Sequence, residues 1–180
     1  MRNANLCLVL VTVYVSATVA PERAMAQRSN AISIAGGLTP IVQSVRSFRY
    51  RTGLNAQISM DLARVLGRVG VRADVFVHSL VRDPAGSDLS RRTSIPGAAA
   101  SFTVPLARVE ALFQPYLVAG AGTYRTDRGG GGPEWHFGFG GGAGMQVGRG
   151  QVRTFIEGRW LNIADGGTPR AVPIMIGMRF

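Results

Sequence analysis

The side chains best suited to chemistry are the two histidines, His78 and His136, because an imidazole can act as a general base or bind a metal. A serine nucleophile needs such a base within hydrogen-bonding reach. Ser79 follows His78 directly, yet neighbours on a strand point to opposite faces. Gly138 stands where a same-face serine would accompany His136, and a cross-strand partner such as Ser101 stays open. We therefore predict no catalytic residues and no metal ligands.

A glycine-rich run over residues 138–143 matches the pattern G-x-G-x-x-A of dinucleotide-binding sites. That pattern binds a dinucleotide only where a helix follows, because the helix N-terminus holds the pyrophosphate. Here the sequence continues as an alternating strand, which favours glycines that make room inside a narrow barrel. The chain contains no lysine, so it has no Walker A motif. We predict no cofactor.

The composition points to one domain with an anionic partner. The chain has 180 residues, and its 20 basic residues, all arginine, oppose 10 acidic ones for a net charge of +10. Such an excess favours nucleic acid, lipid head groups or lipopolysaccharide as partners. The 24 glycines exceed the average usage of about 7% and fall mostly inside alternating stretches, which argues against a disordered linker.

The first 26 residues read as a signal peptide. Arg2 supplies the positive region, residues 6–20 form the apolar region, and residues 24–26 offer an A-x-A cleavage site. The apolar run is shorter than the ~20 residues of a spanning helix and Pro21 follows it, which argues against an anchor helix. We expect one mature domain over 27–180. It lacks cysteine because Cys7 lies in the removed segment, and the exported location argues against a nucleic-acid role.

The end of the chain shows the pattern that the remaining sequence repeats. Large apolar residues alternate with small or polar ones over 171–180, which is the length of one transmembrane β-strand of about 9–11 residues. Similar stretches cover 31–42, 53–63, 69–81, 97–106, 115–125, 135–147 and 151–162. Eight is an even number, as bacterial outer-membrane barrels require. The sequence predicts an all-β, eight-stranded antiparallel up-and-down transmembrane barrel.

Connection lengths predict the orientation of this barrel. The connections 43–52, 82–96, 126–134 and 163–170 are long, whereas 64–68, 107–114 and 148–150 tend to be shorter. Long loops outside the cell and short periplasmic turns are typical of outer-membrane barrels, so both termini are expected in the periplasm. Aromatic belts are expected at the outer rim (Phe48, Tyr50, Tyr124, Trp135, Trp160) and at the periplasmic rim (Phe113, Tyr116, Phe180).

A soluble, lipocalin-like barrel would turn its apolar face inward and its polar face toward water. The composition of the polar faces therefore distinguishes a soluble barrel from a transmembrane one. These faces combine glycines with charges of both signs, as expected for an interior that neutralises itself. A buried charge without a partner costs several kcal/mol. We predict a lumenal network that joins Asp61 and Asp74 with Arg72, and Glu157 with Arg153 or Arg159.

A family resemblance is carried by the segments 31–39, 71–74, 115–122, 140–144, 155–159 and 177–180. Together they resemble the small outer-membrane β-barrel superfamily that includes OmpA- and OmpX-like proteins. The resemblance implies a periplasmic chaperone route and assembly by the outer-membrane insertion machinery, which recognises such a C-terminal strand. It implies no common catalytic residues. No peptidoglycan-binding domain follows the barrel, so cell-wall anchoring is not expected.

We expect a monomeric outer-membrane protein with a structural or surface-interaction role and no catalysis. The alternatives are a narrow solute channel, a lipid A-modifying enzyme that uses His78 or His136, and a soluble periplasmic binder. Outer-membrane lipid and lipopolysaccharide are the expected partners, because guanidinium groups bind phosphate well. The arginines expected in the long loops are Arg46, Arg49, Arg51, Arg82, Arg91, Arg92, Arg125, Arg128 and Arg170.

Overall fold

The computed structural model describes residues 31–43, 48–65, 69–84, 91–108, 111–127, 132–164 and 170–180. The predicted signal peptide lies outside the described residues. Ten strand segments follow one another along the chain: β1 (Ile32–Thr39), β2 (Ile41–Gln43), β3 (Phe48–Val65), β4 (Val69–Pro84), β5 (Arg91–Pro105), β6 (Phe113–Asp127), β7 (Pro133–Val147), β8 (Arg153–Ile163), β9 (Arg170–Ala171) and β10 (Ile174–Arg179).

The ten segments form a closed barrel of eight full-length strands, which we call staves. β1 with β2 is the first stave, β9 with β10 is the last, and each of the other six segments is one stave. Proline donates no backbone hydrogen bond, and Pro40 divides the first stave into β1 and β2 while Pro173 divides the last into β9 and β10. The two interruptions meet, because the Val172 N–H donates to the Pro40 carbonyl at 3.0 Å. Every pairing is antiparallel, and β10 closes the barrel by pairing with both β1 and β8. This confirms the predicted eight-stranded fold.

The strands extend beyond the predicted limits at one end of the barrel. β3 begins at Phe48, β4 continues to Pro84 and β5 begins at Arg91. The prediction of long connections is therefore wrong: only 44–47, 85–90, 128–132 and 164–169 separate strands at this end, which we call the extended end. The reason is that polar residues beyond the apolar band still pair in register, as between Arg49 and Asp83. The connections at the opposite end are 66–68, 106–112 and 148–152, so they are not consistently shorter. This end carries both ends of the barrel sequence, and we call it the short-turn end after the prediction.

The outward face of the barrel is apolar on every stave. Each stave exposes at least one large hydrophobic residue that alternates with inward residues: Ile34, Ile58, Val75, Phe102, Leu117, Phe137, Ile156 and Ile176. On β3 this apolar face runs from Leu54 to Leu62, close to the ~9–11 tilted residues that span a bilayer. None of the described residues forms a helix with the length and apolar character needed to span a bilayer.

The aromatic residues only partly follow the predicted belts. Trp135, Trp160, Phe113 and Phe180 are exposed on the outside, while the side chains of Phe48 and Tyr50 lie outside the described set. Tyr116 and Tyr124 are buried in the lumen, so their assignment to the belts is wrong. Both lie in the inward register of β6, where facing glycines leave space for a ring.

Candidate functional site

The centre of the lumen holds a ring of four charged side chains. Arg72 and Asp74 are two residues apart on β4, and both point into the lumen. Glu157 and Arg159 do the same on β8. These two strands are the third and seventh of eight staves, so they face one another across the barrel. The ring therefore spans the lumen from wall to wall.

Each charged side chain in this central ring contacts two side chains of the opposite charge. The Arg72 guanidinium forms a bidentate pair with Glu157, with both nitrogen–oxygen distances at 3.2 Å, and its Nε lies 2.9 Å from Asp74. Arg159 lies 3.0 Å from Asp74 and also pairs with Glu157. Two arginines and two carboxylates sum to zero charge, which offsets the cost of removing each ion from water.

Neutral side chains complete the hydrogen bonding of the two carboxylates. The Tyr116 hydroxyl donates to Glu157 at 2.7 Å. Gln57 donates to Asp74 at 3.1 Å, and the Ser101 hydroxyl donates to the other oxygen of the same carboxylate. Asp74 and Glu157 are each only 1% exposed, so these bonds replace the water that the carboxylates lose.

The structure confirms part of the predicted lumenal network. Arg72 pairs with Asp74, and Glu157 pairs with Arg159, as predicted. The prediction that Asp61 pairs with Arg72 is wrong, because Asp61 pairs with Arg179. Although Asp61 and Arg72 are register partners on β3 and β4, the long Arg72 side chain reaches across the lumen instead.

A second correction concerns Arg153, which was a candidate partner of Glu157. Its guanidinium donates to the Gln114 side-chain oxygen at 2.6 Å and to the Gly150 carbonyl at 3.3 Å. Arg153 opens β8 at the short-turn end, whereas Glu157 lies four residues further into the barrel. The depth within the lumen therefore decides which arginine meets Glu157.

The two histidines lie apart from the serines considered as nucleophiles. His78 is buried, and its Nδ1 lies 3.3 Å from the Thr39 hydroxyl. Ser79 follows on the opposite face, while the Ser101 hydroxyl is engaged with Asp74. His136 Nε2 lies 3.6 Å from Glu134 at the extended end. Among the described residues, no group of three or more potential ligands is placed to hold a metal ion.

The glycine-rich run lies within β7 and is strand throughout, without the helix that a dinucleotide site requires. A β-carbon on Gly144 would lie 2.4 Å from the Tyr116 ring, and one on Gly138 would lie 2.6 Å from Tyr124. One on Gly142 would lie only 1.9 Å from the Gly158 carbonyl oxygen of β8. The interpretation that these glycines make room in a narrow barrel is confirmed.

Apolar side chains fill the lumen between the central ring and the extended end. They form one buried cluster: Phe76, Leu80, Ile95, Tyr124, Leu161 and Ile163. The rings of Phe76 and Tyr124 lie 5.0 Å apart, close to a favourable aromatic separation. A cavity of about 30 Å³ remains beside them, next to Arg159. It has room for about one or two water molecules, so the central ring and the cluster together close this part of the lumen.

Comparison with known proteins finds structural similarity without a sequence family. No protein-family model matches the sequence, and no curated protein matches it. The OmpA- and OmpX-like resemblance thus stays a prediction.

Three solved structures of the outer membrane protein Ail of Yersinia pestis resemble the chain, each covering 84% of this chain and 99% of Ail. A backbone structure in a phospholipid bilayer nanodisc is 13% identical with a TM-score of 0.48. A crystal structure of the complex with the heparin analogue sucrose octasulfate is 15% identical, and a further crystal structure is 16% identical, both with a TM-score of 0.45. The fold assignment for this chain rests on its own strand pairings.

Proposed function

We propose that this protein is a monomeric outer-membrane β-barrel with a structural or surface-interaction role in the cell envelope and without catalysis. One observation supports this function above the others: the distribution of polarity is inverted relative to a soluble protein. The charges Arg72, Asp74 and Glu157 are buried, whereas large apolar side chains cover the outside of all eight staves. Hydrocarbon is the solvent that matches such a surface.

The inverted polarity argues against the soluble, lipocalin-like alternative. Monomeric soluble proteins rarely expose contiguous apolar patches larger than about 300–600 Å². Here the apolar face continues around the whole barrel, through residues such as Ile58, Val75 and Ile176. A soluble barrel would also place its charges in water rather than in a central ring.

The filled lumen favours a structural role over a solute channel. The central ring joins opposite staves, and the cluster around Phe76 and Leu161 fills the lumen beside it. Eight strands leave an interior that side chains can just fill. The cavity beside Arg159 has room for only about one or two water molecules.

The polar strand extensions support an orientation with the extended end outside the cell. On β4 and β5 the strands continue past the apolar band, whereas exposed Val65, Leu106 and Val147 continue that band up to the short turns. Outer-membrane barrels project further on the extracellular side. This orientation places both ends of the barrel sequence in the periplasm, where the C-terminal strand would be accessible to the insertion machinery after signal peptide removal.

Exposed arginines at the extended end support lipopolysaccharide as a partner. Arg51 and Arg92 flank Val81 on the outward face of three neighbouring strands, and Arg125 lies beside Trp135 on the same face. These residues lie within strands, as do Arg49, Arg82, Arg91 and Arg170, which corrects their assignment to loops. Arg46 and Arg128 fall outside the described residues. Guanidinium groups at this level would meet lipid phosphates bidentately.

Cell fractionation combined with gel mobility tests the proposed location. We expect the protein in the outer-membrane fraction, with an SDS-gel band that shifts on boiling, because a folded barrel resists SDS until heated. We also expect no conductance steps in planar bilayers. Release by osmotic shock as a single unshifted band would contradict the membrane assignment, and stable conductance steps would contradict the closed lumen.

Lipopolysaccharide binding is tested separately with the outward arginines. Arg92→Gln combined with Arg125→Gln is expected to weaken the stabilisation of the folded barrel by added lipopolysaccharide. Arg108→Gln combined with Arg149→Gln at the short-turn end is the matched control, since both residues are exposed there. Equal loss in both pairs would contradict a specific lipopolysaccharide site at the extended end.

A further inference from the structure

Two arginines face each other at the mouth of the lumen at the short-turn end. Arg153 on β8 and Arg179 on β10 are direct register partners, and both lie on the inward face. Like charges placed directly opposite one another across strands are destabilising. An acidic partner or a bound anion at this position would offset the repulsion between them.

The described side chains compensate only one of the two charges. Arg179 pairs with Asp61, the one side-chain carboxylate found at this mouth in the described residues. Arg153 donates to two neutral oxygens, those of the Gln114 side chain and the Gly150 carbonyl. Hydrogen bonds to neutral acceptors satisfy the guanidinium nitrogens but leave the positive charge in place.

A third arginine adds to the same positive mouth. Arg64 on β3 is paired with Gly70 in the inward register and lies within electrostatic range of Arg179. Among the described side chains, three guanidinium groups at this mouth thus face one carboxylate, that of Asp61. Arg108 and Arg149 are exposed on the neighbouring turns and add to the positive potential.

This mouth is accessible to solutes, unlike the central ring. The side chains of Arg179 and Asp61 are 23% and 22% exposed, whereas those of Arg72 and Glu157 deeper in the lumen are 6% and 0% exposed. The charges of the central ring sum to zero, so the ring offers no excess charge to a ligand. Within the lumen, the excess of positive charge described here lies at the short-turn end.

We propose that Arg153, Arg179 and Arg64 form a binding site for a phosphate-class anion at the short-turn mouth of the lumen. The planar guanidinium group donates two parallel hydrogen bonds to phosphate oxygens, and two arginines on adjacent strands can share one phosphate. The anion relieves the repulsion between Arg153 and Arg179. The proposal concerns the folded barrel in any detergent or bilayer, so it stands apart from the assignment to the outer membrane.

The test is a titration of inorganic phosphate into the folded chain in a nonionic maltoside detergent, which contributes no phosphate of its own. The arginine Nε–Hε NMR signals of Arg153 and Arg179 are expected to shift saturably. Arg153→Gln is expected to weaken the binding by about tenfold, the size expected for losing one charged hydrogen-bonding partner. Arg125→Gln at the extended end is the control: the binding constant is read from the Arg153 and Arg179 signals, so the loss of an arginine outside this mouth is expected to leave it unchanged.

The outcomes separate a site from general attraction. Linear shifts that do not saturate, or equal weakening by Arg125→Gln, would overturn the proposal. Where Arg153→Gln fails to show the folded, heat-modifiable band, Arg64→Gln on the exposed rim replaces it, with weakened binding again expected and unchanged binding contradicting the site.

A second arm identifies the source of the phosphate group. Phosphatidylglycerol added to the maltoside micelles would displace inorganic phosphate if a lipid head group is the occupant. If only inorganic phosphate or a phosphomonoester binds, the occupant is a soluble anion. Either result supports the site. If neither the lipid nor the soluble anion binds, the proposal is contradicted.

Discussion

Arg72 and Glu157 are 85 residues apart in sequence and meet across the lumen in a bidentate pair with both distances at 3.2 Å. The pair joins staves on opposite sides of the barrel, which no backbone hydrogen bond connects. It therefore couples the two halves of the wall in a way that neighbouring strand pairs cannot. Arg159 and Asp74 close the same ring from the other direction.

Removing the charge of Glu157 is expected to destabilise the barrel. In Glu157→Gln the buried Arg72 loses its bidentate partner and the ring gains a net positive charge. Breaking a buried pair on one side costs about 3–5 kcal/mol in the free energy of unfolding. Urea unfolding of the chain in lipid vesicles measures this loss, and Glu134→Gln at an exposed position is the control with little expected effect.

Removing both partners tests whether the cost comes from an unpaired charge. The double variant Arg72→Leu with Glu157→Leu leaves Asp74 paired with Arg159. It is expected to be more stable than Glu157→Gln alone, since apolar replacement of a whole buried pair is often neutral. The comparison also needs the single variants Arg72→Leu and Glu157→Leu. If the double variant loses as much free energy of unfolding as these two lose together, the two residues act independently and the coupling is contradicted.

Gly142 and Gly158 offer a matched pair for testing the close packing of the strands. A β-carbon on Gly142 would lie 1.9 Å from the backbone carbonyl oxygen of Gly158, which cannot rotate away. A β-carbon on Gly158 itself meets no atom within 4 Å. Gly142→Ala is expected to cost about 1–3 kcal/mol by overpacking, and Gly158→Ala almost nothing. Urea unfolding in vesicles compares the two, and equal losses would contradict the steric explanation.

The alternating pattern predicts the fold and the lumenal face, because the side-chain period of a strand is two. It places Arg72, Asp74, Glu157 and Arg159 on the inward side before any strand pairing is known. It also shows that the glycines of β7 share that face. Both results depend only on the alternation of side chains along a single strand, and this alternation can be read from the sequence.

The pattern does not predict which charges meet, because contacts across a lumen depend on depth and on which staves are opposite. Asp61 and Arg72 share a register position, yet Arg72 spans the barrel and Asp61 binds Arg179. The positions of Tyr116 and Tyr124 near strand ends predict aromatic belts, whereas both side chains lie in the lumen. Their inward parity beside small residues of the neighbouring strand was the signal that would have placed them in the lumen.

Arginine substitutions at two outward positions separate a lipid-facing wall from a water-facing one. Ile176 is 62% exposed and lies in the middle of its stave, paired with Gly36 and Ile156, while Val42 is 65% exposed at the extended end. In a bilayer, Ile176→Arg is expected to cost about 2–4 kcal/mol and Val42→Arg about 0–1 kcal/mol, because the cost depends on depth.

The measurement is the free energy of unfolding of both variants in lipid vesicles. Their exposures are nearly equal, so a barrel surrounded by water would tolerate both substitutions alike. Equal and small losses would contradict the membrane assignment while leaving the barrel fold intact. A large loss confined to Ile176→Arg would instead locate the hydrocarbon at the centre of the apolar band, since depth is the property in which the two sites differ most.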